Sequence, residues 1–499
     1  MPKLSIREIK QGYKGVKRLA QRASDGGDHE ASLKYIGKCA TIVQQFNWIY
    51  ADDELEDLLA DIGNKLVKKP SNGYQPVKDR VVFYDAFCKS FVLALQYVEA
   101  LVSAGKEIMY ITTANDLVKN KTGFADILGK LEVYPSVKIV IVPPGKDTER
   151  ICFFYDAVVS YCPEQILLHM VADAVVLPAL YVLPSAIKRY IINLADQTFW
   201  LGKKAIDYCI EFRQFGVSVS QQRRGIKPEQ QLLVPFYPID DGNTFEGFPE
   251  QCSPDKVIVF SGGDLYKVLD EKRTYWRLVK RLLDEYPKLV FLFATKIGKD
   301  INREIDGFIR TNGFEGRFIY VNYRKDINEV FKHCDIYMGT CPASGSLMSQ
   351  LAAVNAKPIL QYYYSGTPDD ETEQAICIND KFPISFQDEE LFMEEAHRLI
   401  TDKEYRKKQG ERLKNAMITS EQFNRLVADS LSSNVTQIPL EPFEMDYSLL
   451  DDRWYALEKT GYVDMLSYLW GILGEKYIRR NMPSVFIKKH LNTILKHLT

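Results

Sequence analysis

The sequence has no cysteine pattern that predicts a disulfide framework or a zinc site. Its nine cysteines are scattered, their number is odd, and no two form a C-x-x-C pair. The six histidines are equally dispersed, without the spacing of metal ligands. The absence of paired cysteines excludes a disulfide scaffold. Scattered cysteines are typical of small buried residues in a reducing compartment. We therefore expect no metal site.

Net charge and long apolar runs are also lacking. The 64 Lys and Arg residues nearly cancel the 66 Asp and Glu residues, so no overall field attracts nucleic acid. No window approaches an uninterrupted apolar stretch of about 18 residues. The first residues are charged and amphipathic, unlike a signal peptide. The sequence predicts a cytoplasmic protein that does not bind nucleic acid.

Apolar content and periodicity predict a large α/β protein in four sections. Hydrophobic residues make up 46% of the 499 positions, which is enough for about three domains. Residues 1–75 have helical spacing, 76–240 and 255–435 alternate strand and helix patterns, and 436–499 are again helical. A linker rich in Gly and Pro separates the two middle sections. The predicted fold class is α/β, with two Rossmann-like domains and helices at both ends.

The segment Phe318–Leu360 is the most informative part of the sequence. A short predicted strand, Asp335–Met338, leads into a turn of small residues that includes Ser344, Gly345 and Ser346, and a helix follows. Small residues let backbone amides approach a ligand, and a helix N-terminus adds partial positive charge. Because such a turn lies at the carboxyl edge of a parallel sheet, it predicts a diphosphate cradle without a Walker lysine.

This segment resembles the donor-binding half of glycosyltransferases of the two-Rossmann-domain type, called GT-B. The resemblance is carried by Asp326, Asp335, the turn from Pro342 to Ser346, and Ala352–Leu360, and it covers roughly residues 80–380. The alternative is an ordinary β-α-β crossover with a tight serine-rich turn. The resemblance implies a nucleotide-sugar site between the two domains, with a UDP-sugar as the expected donor substrate and no cofactor.

Other strand ends of the second α/β section fit a donor site. Gly262 and Gly263 follow a predicted strand and allow close backbone approach, although a plain tight turn would also use them. The resemblance implies that Lys296 pairs with the diphosphate and that Tyr323 lies where the base stacks. Lys296 as an ordinary surface residue is the alternative.

Two pairs of charged residues give less specific predictions. Asp370 and Glu371 could accept hydrogen bonds from ribose or sugar hydroxyls, or they could form a solvated acidic turn. Arg223 and Arg224 precede the linker and could reach across it to phosphate, since guanidinium groups form charge-assisted bonds to anions. A solvated basic turn is the alternative for this pair.

The first α/β section contains a candidate general base. A predicted strand, Tyr190–Leu194, ends just before Asp196, and Phe199 and Trp200 follow. A strand-end carboxylate beside aromatic rings can deprotonate an acceptor hydroxyl while a sugar ring stacks. Asp196 is therefore the predicted base, and capping of the next turn is the alternative.

This second segment resembles the Asp-x-x-Phe-Trp-x-Gly stretch of some bacterial GT-B enzymes and, loosely, the O-GlcNAc-transferase-like group. Those relatives carry a histidine two positions before the aspartate, where this chain has Leu194. The departure argues against a histidine base at that position. His169, in an apolar stretch, is expected to be a core residue.

The resemblance also bears on the reaction. Retaining GT-B enzymes often carry paired glutamates near this helix, where the chain has Gln350 and Leu351, and no D-x-D motif ends a predicted strand. We expect a metal-independent, inverting hexosyl- or N-acetylhexosaminyl-transferase of polysaccharide biosynthesis, acting on a glycan, lipid-linked or protein acceptor. Two alternatives stay open: a nucleotide-sugar epimerase of the same fold, and a degenerate GT-B scaffold.

Both ends of the chain are basic and amphipathic. Ile6, Ile9, Tyr13, Val16 and Ala20 form one apolar stripe, and Ile487, Leu491, Ile494, Leu495 and Leu498 form another, each flanked by Lys and Arg. One hypothesis places the protein at the periphery of an anionic membrane. The alternative is that the helices pack on the body. The helical N-terminal section, which resembles a single tetratricopeptide-like unit, packs on its neighbour or on a protein partner.

Overall fold

Two parallel α/β domains, joined by helices from both ends of the chain, make up the protein. The computed structural model describes residues 4–68, 73–86, 91–113, 127–170, 175–240, 242–363, 370–456 and 464–498. Within these residues the strands form one seven-stranded sheet and one six-stranded sheet. Every strand pair in both sheets is parallel.

Three helices form the N-terminal section. They are α1 (Ile6–Asp25), α2 (His29–Phe46) and α3 (Asp53–Leu66). Ser5 begins α1 through a capping box with Glu8, and the side chains of Asp28 and Asp52 cap the next two helices. The apolar faces of the three helices join the core of the first sheet. The section therefore packs on its neighbour, as one of the two sequence-based alternatives proposed.

The apolar stripe of α1 is buried against the body of the protein, as the alternative to the membrane hypothesis expected. Ile9, Val16 and Ala20 are 0% exposed and Tyr13 is 4% exposed. The exposed residues of the helix are all polar or charged, and they are Arg7, Lys10, Gln11, Lys14, Arg18, Gln21, Arg22 and Asp25. At the other end Ile487 is exposed, and the side chains beyond residue 490 lie outside the described part.

The first domain is a doubly wound sheet. Its strands are β1 (Arg80–Asp85), β2 (Glu107–Thr113), β3 (Val137–Val142), β4 (Gln165–His169), β5 (Lys188–Ile192), β6 (Tyr208–Glu211) and β7 (Gln231–Leu233). Its helices are α4 (Phe91–Ser103), α5 (Asp147–Tyr161), α6 (Leu177–Leu180) and α7 (Gln214–Val219). The strand order is β3-β2-β1-β4-β5-β6-β7, so the winding direction reverses between β1 and β4. Ligands of open α/β sheets bind at such a reversal, outside the carboxyl ends of the strands.

The second domain repeats this winding. Its strands are β8 (Val257–Gly262), β9 (Leu289–Ala294), β10 (Phe318–Val321), β11 (Ile336–Met338), β12 (Ile359–Tyr362) and β13 (Ser385–Phe386). Its helices are α8 (Thr274–Glu285), α9 (Lys299–Asn312), α10 (Ile327–His333), α11 (Ser346–Val354), α12 (Glu373–Ile376), α13 (Glu389–Thr401) and α14 (Lys403–Ala416). The order β10-β9-β8-β11-β12-β13 puts the reversal between β8 and β11.

The C-terminal section returns to the first domain. It contains α15 (Ser420–Ser433), α16 (Tyr447–Ala456), α17 (Met465–Asn481) and α18 (Pro483–Leu498). The first of these packs on α4, although the sequence placed residues up to 435 in the second domain. Further on, α17 packs against α1, where a Cβ added to Gly12 would lie 2.5 Å from Leu469. The missing side chain at Gly12 lets the two helices approach closely.

Candidate functional site

Two glycines lie at the end of β8, at the carboxyl edge of the second sheet. A Cβ at Gly262 would lie 2.8 Å from the carbonyl oxygen of Ala294, so only glycine fits between these strands. Gly263 follows with a φ of +152°, a conformation that side chains rarely adopt. Both predicted glycines therefore lie at the reversal point between β8 and β11, where backbone can approach a ligand.

The loop after β11 leads directly into the N-terminus of α11. Gly345 is the N-cap residue and Ser346 is the first residue of the helix, and no side chain caps this end. The amides of the first helical turn have no intrahelical acceptor, and together with the helix dipole they attract an anion. Ser344 and Gly345 lie across the reversal point from Gly263. The structure thus brings the predicted small-residue turn and the predicted glycine pair together.

Lys267 lies between these two loops and was missed by the sequence analysis. It belongs to a short 3-10 helix, Leu265–Val268, and its side chain passes within 3.1 Å of the Cβ position of Gly263. Its Nζ lies 3.5 Å from the Cβ position of Gly345 and donates to the carbonyl oxygen of Ser344 at 3.4 Å. Among the described residues it forms no ion pair. The only sequence signal was a lysine four positions after the glycine pair.

The charge of Lys267 is poorly compensated by its surroundings. Burial lowers the pKa of this ammonium group, and the nearby carboxylates of Asp264 and Glu371 only partly oppose that effect. A partly buried cation beside a helix N-terminus is stabilised by an added anion. The arrangement of Lys267, Gly345 and Ser346 can therefore bind a phosphate or diphosphate group.

Arg213 connects this loop to the first domain. It lies just after β6, is 3% exposed, and holds both oxygens of Asp196, with Nε at 2.6 Å and Nη2 at 2.9 Å. Its remaining nitrogen, Nη1, donates to Oε1 of Glu371 at 2.9 Å, and the hydroxyl of Ser344 donates to the same oxygen at 3.1 Å. Burial would lower the pKa of Arg213, but the two carboxylates outweigh it and raise that pKa. A continuous polar chain thus runs from Asp196 to the donor loop.

The carboxylate of Asp196 is buried, whereas a general base would be expected to be accessible to the acceptor. Its side chain is 0% exposed, and both of its oxygens accept hydrogen bonds from Arg213 in a bidentate geometry. It is near the end of β5, as predicted, although that strand ends at Ile192. Its contacts are those of a residue that positions Arg213, and its role as a base stays a prediction.

Arg223 and Arg224 anchor other parts of the first domain. Arg224 is 1% exposed and donates to the carbonyl oxygen of Asp196 at 2.8 Å, and its guanidinium lies 5.0 Å from the ring of Trp200. Arg223 pairs with Asp451 at 3.3 Å and stacks near Tyr447, both in the returning C-terminal section. These contacts give both guanidinium groups structural roles. Their predicted contact with phosphate stays untested.

The remaining predicted donor residues lie around the same sheet edge. Lys296 is exposed and follows β9, next to β8 in the sheet. Tyr323 is 51% exposed, follows β10, and its hydroxyl donates to Asp264. Asp370 is exposed and accepts from Gln374 at 2.6 Å, so it is the least committed carboxylate of the acidic loop. The acidic residue before it, Asp369, lies outside the described residues.

The reversal point of the first sheet holds a buried carboxylate and imidazole. Asp85 ends β1 and His169 ends β4, and the Nδ1 atom of His169 lies 2.8 Å from Oδ1 of Asp85. The hydroxyl of Tyr110 donates to the other carboxylate oxygen at 2.6 Å. Both members of the pair are 0% exposed. His169 is therefore buried, as expected, but it is paired with a carboxylate at the position where an α/β sheet binds ligands.

Two kinds of feature are absent from the described part of the chain. No group of three or more His, Cys, Asp or Glu side chains there is arranged to hold a metal ion. None of the helices in those residues is long and apolar enough to cross a membrane.

Comparison with known proteins identifies the fold. A scan against protein-family models and a search of curated proteins found no match. Among solved structures, a mutant O-GlcNAc transferase of Thermobaculum terrenum has a TM-score of 0.52 at 12% identity, over 90% of this chain and 82% of that one. A glycosyltransferase of Rickettsia africae has a TM-score of 0.51 at 12% identity, over 72% of this chain and 98% of that one.

A third similar structure belongs to a different kind of enzyme. It is a Listeria monocytogenes protein described as a UDP-N-acetylglucosamine 2-epimerase, with a TM-score of 0.50 at 11% identity, over 74% of this chain and 100% of that one. Glycosyltransferases and an epimerase therefore share this architecture. The chain has the GT-B fold of two Rossmann-like domains, which confirms the predicted fold class.

Proposed function

We propose that the protein is a glycosyltransferase that uses a nucleoside-diphosphate sugar, with UDP as the expected nucleotide. The observation that carries this proposal is the anion cradle of the second domain. Lys267, the open N-terminus of α11 and the backbone around Gly263 converge on one point at the reversal of the sheet. A diphosphate supplies the negative charge that this point lacks. The GT-B fold supports the same assignment.

The chemistry of transfer assigns a task to each side of the cleft. An acceptor hydroxyl oxygen forms a bond to the anomeric carbon as the bond from that carbon to the diphosphate oxygen breaks. The hydroxyl proton passes to a general base and the nucleoside diphosphate leaves. Lys267 and the α11 N-terminus stabilise the charge that develops on the leaving diphosphate, where fixed donors and dipoles are most effective.

Two groups of the first domain are candidates for the base. Asp196 was predicted from the sequence, and its carboxylate is held by Arg213. His169, oriented by Asp85 at the reversal point of the first sheet, is the second. An imidazole held by a carboxylate is a common general base because the carboxylate fixes its orientation and stabilises its protonated form.

Epimerisation is the second candidate function, because an epimerase-like protein is among the structural neighbours. Both candidates require the same nucleotide cradle, but only a transferase requires an acceptor. A scaffold with a degenerate site would bind a nucleotide sugar weakly or not at all.

Nucleotide binding and sugar turnover together test the proposal. Calorimetry with UDP is expected to show binding to the wild-type protein. Common UDP-sugars are then supplied with and without alkyl glycoside acceptors, and UDP release and sugar isomers are both measured. Acceptor-dependent UDP release supports transfer. Isomer formation without UDP release would replace the proposal with epimerisation, and absence of both UDP binding and turnover would leave a scaffold.

A further inference from the structure

A large cavity lies between the domains, beside β12 and β13 of the second sheet. It measures about 1070 Å³. Its wall combines residues that follow β6, residues from the region of β13 and α13, and residues of the returning C-terminal section. The apolar part of that wall includes Phe212, Leu233, Phe386, Leu391, Ile438 and Phe443. Cavities of this size accommodate a small-molecule ligand.

The polar side chains inside this wall are already hydrogen bonded. Gln214 donates to the carbonyl oxygen of Pro439 and accepts from the amide of Glu441, both at 2.9 Å. Glu373 accepts from the amide of Ser385 at 2.7 Å and from its hydroxyl at 2.8 Å. A ligand would gain few hydrogen bonds from these groups. The surface that remains for it is mainly aromatic and aliphatic.

The charged residues of the wall are of two kinds. Arg213 and Glu373 are buried, at 3% and 8% exposure, and are already paired or hydrogen bonded, whereas the others lie at the exposed margin. The side chains of Lys381 and Glu441 are 82% and 62% exposed, and they pair at 3.4 Å. The large apolar side chain of Leu391 is 54% exposed, unlike the leucines of the core. A mainly apolar wall whose buried charged groups are already engaged, with further charges at its exposed margin, fits a molecule that has an apolar tail and a polar head.

The strand order places the cavity at the sugar end of the donor site. The end of β10, with Tyr323, is the expected base end, and the cradle lies between β8 and β11 in the middle of the sheet. A donor that runs along this edge directs its sugar toward β12 and its loop, which carries Glu371. The cavity begins beside that loop, at Tyr363 and Asp370. It is therefore placed to receive the molecule that attacks the sugar.

We propose that this cavity binds the acceptor, and that the acceptor is an amphiphile with an alkyl or prenyl chain and a hydroxyl-bearing head group. The inference rests on the proposed glycosyltransferase function and narrows its acceptor to the lipid-linked class. The chain occupies the apolar interior beside Leu391 and Phe386. The head group faces the loop that carries Glu371.

A chain-length series of alkyl β-D-glucosides, from two to eight carbons and below the concentrations at which they form micelles, tests this inference without any variant. Calorimetry is carried out in the absence of UDP. Affinity is expected to rise by up to about fourfold with each added methylene group, which corresponds to the burial of that group. An affinity that does not depend on chain length would overturn the inference.

A substitution at the exposed wall locates the binding. Leu391→Asp is expected to weaken octyl glucoside binding at least tenfold and to leave UDP binding unchanged, because Leu391 lies outside the cradle. Val133→Asp is the matched control, since Val133 is also an exposed apolar residue, at 70%, and does not line the cavity. Equal effects of the two substitutions would contradict the assigned site. Circular dichroism checks that both variants are folded.

The UDP titration separates the two possible failures. A wild-type protein that binds UDP but shows no dependence on chain length overturns the amphiphilic acceptor alone. A wild-type protein that binds octyl glucoside but not UDP overturns the acceptor role together with the proposed function.

Discussion

At the scale of single residues, two lysines at the edge of the second sheet differ in their surroundings. Lys267 is enclosed by the two loops of the cradle, whereas Lys296 is exposed and has no described partner. A lysine in a partly buried anion site contributes more to binding than one in solvent, because its interaction with the anion is less screened. The cradle therefore depends on Lys267.

We expect Lys267→Ala to weaken UDP binding by about 10- to 100-fold, as the loss of one hydrogen bond to a charged group predicts. Lys296→Ala is the matched control and should change the dissociation constant by less than about threefold. Calorimetry with UDP measures both. A larger effect at Lys296 than at Lys267 would indicate that the diphosphate lies beside Lys296, as the sequence predicted.

A second prediction at this scale concerns the buried ion pair of Asp196 and Arg213. Asp196→Asn leaves a buried guanidinium with one carboxylate instead of two, and breaking a buried pair costs about 3 kcal/mol or more. We expect a lower free energy of unfolding in urea. Asp207→Asn is the control, because Asp207 holds Arg189 in a similar geometry but is 26% exposed, and a loss of about 1 kcal/mol or less is expected.

Turnover of Asp196→Asn tests whether Asp196 is the general base. If Asp196 abstracts the acceptor proton, Asp196→Asn should lower turnover by roughly 10² to 10⁴-fold in protein that is still folded. If His169 does so, that loss should appear in His169→Gln, with UDP affinity unchanged. Near-normal turnover in folded Asp196→Asn would limit Asp196 to positioning Arg213.

The small residues of the cradle were predicted from the sequence, but the charged side chains that turn toward it were missed. Gly262, Gly263, Gly345 and Ser346 were predicted because small residues at strand ends allow close backbone approach, although a tight turn would also use them. Lys267 was missed because its position depends on a short 3-10 helix that turns its side chain back over the glycines. Arg213 was missed for a similar reason, since its two carboxylate partners are distant in the sequence and meet only across the domain boundary.

At the scale of secondary-structure elements, the N-terminus of α11 is the part of the site that substitution can block without unfolding. Gly345 has a φ of −123°, which any residue can adopt, and its nearest neighbours are Lys267 at 3.5 Å and Met348 at 3.9 Å. We expect Gly345→Val to fold normally and to weaken UDP binding at least tenfold, because its side chain occupies the place of the phosphate. Gly307→Val on α9, where nothing lies within 4 Å, should leave UDP affinity unchanged.

The contact between α1 and α18 should depend on pH. Burial raises the pKa of Glu8, but hydrogen bonds from Lys488, Ser484 and Ser5 outweigh it and lower that pKa from 4.5 to about 2. Because the pKa is lower in the folded state, the stabilisation is complete above about pH 4.5 and is lost as the pH falls toward 2.

Melting temperatures of Glu8→Gln and the wild-type protein are the measurement. We expect the variant to melt at a lower temperature at pH 7 and the difference to shrink below pH 4. Glu229→Gln, at an exposed glutamate, should melt like the wild type at every pH. A difference at Glu8 that stays constant with pH would show that the contact does not depend on its charge.

Some short strands were predicted from the sequence and others were missed. The predicted strand Asp335–Met338 differs by one residue from β11, Ile336–Met338, and the predicted strand Tyr190–Leu194 is shifted by two residues from β5, Lys188–Ile192. The strands β6 and β7 contain four and three residues and were not predicted. Runs of that length form strands only because a neighbouring strand is available to pair with them.

At the scale of the whole molecule, Arg213 and Glu371 link the two domains beside the loop that carries Ser344. The ion pair measures 2.9 Å, and the two side chains are 3% and 13% exposed. Periodicity within each half predicted two domains, but the returning C-terminal helices and this link could not be read from it. The link is positioned to report on nucleotide binding, because Ser344 shares the same carboxylate oxygen.

We expect Glu371→Ala to loosen the nucleotide-free protein, because it removes the only carboxylate of the second domain that is described as pairing with Arg213. Asp196 still neutralises Arg213, so the variant should stay folded. Small-angle scattering should show a larger radius of gyration without UDP, and UDP should reduce it if nucleotide binding itself brings the domains together. The control is Glu390→Ala, which removes an exposed ion pair with Arg281 inside the second domain and should not alter the radius. An unchanged radius in Glu371→Ala would mean that the packed helices, and not this ion pair, set the distance between the domains.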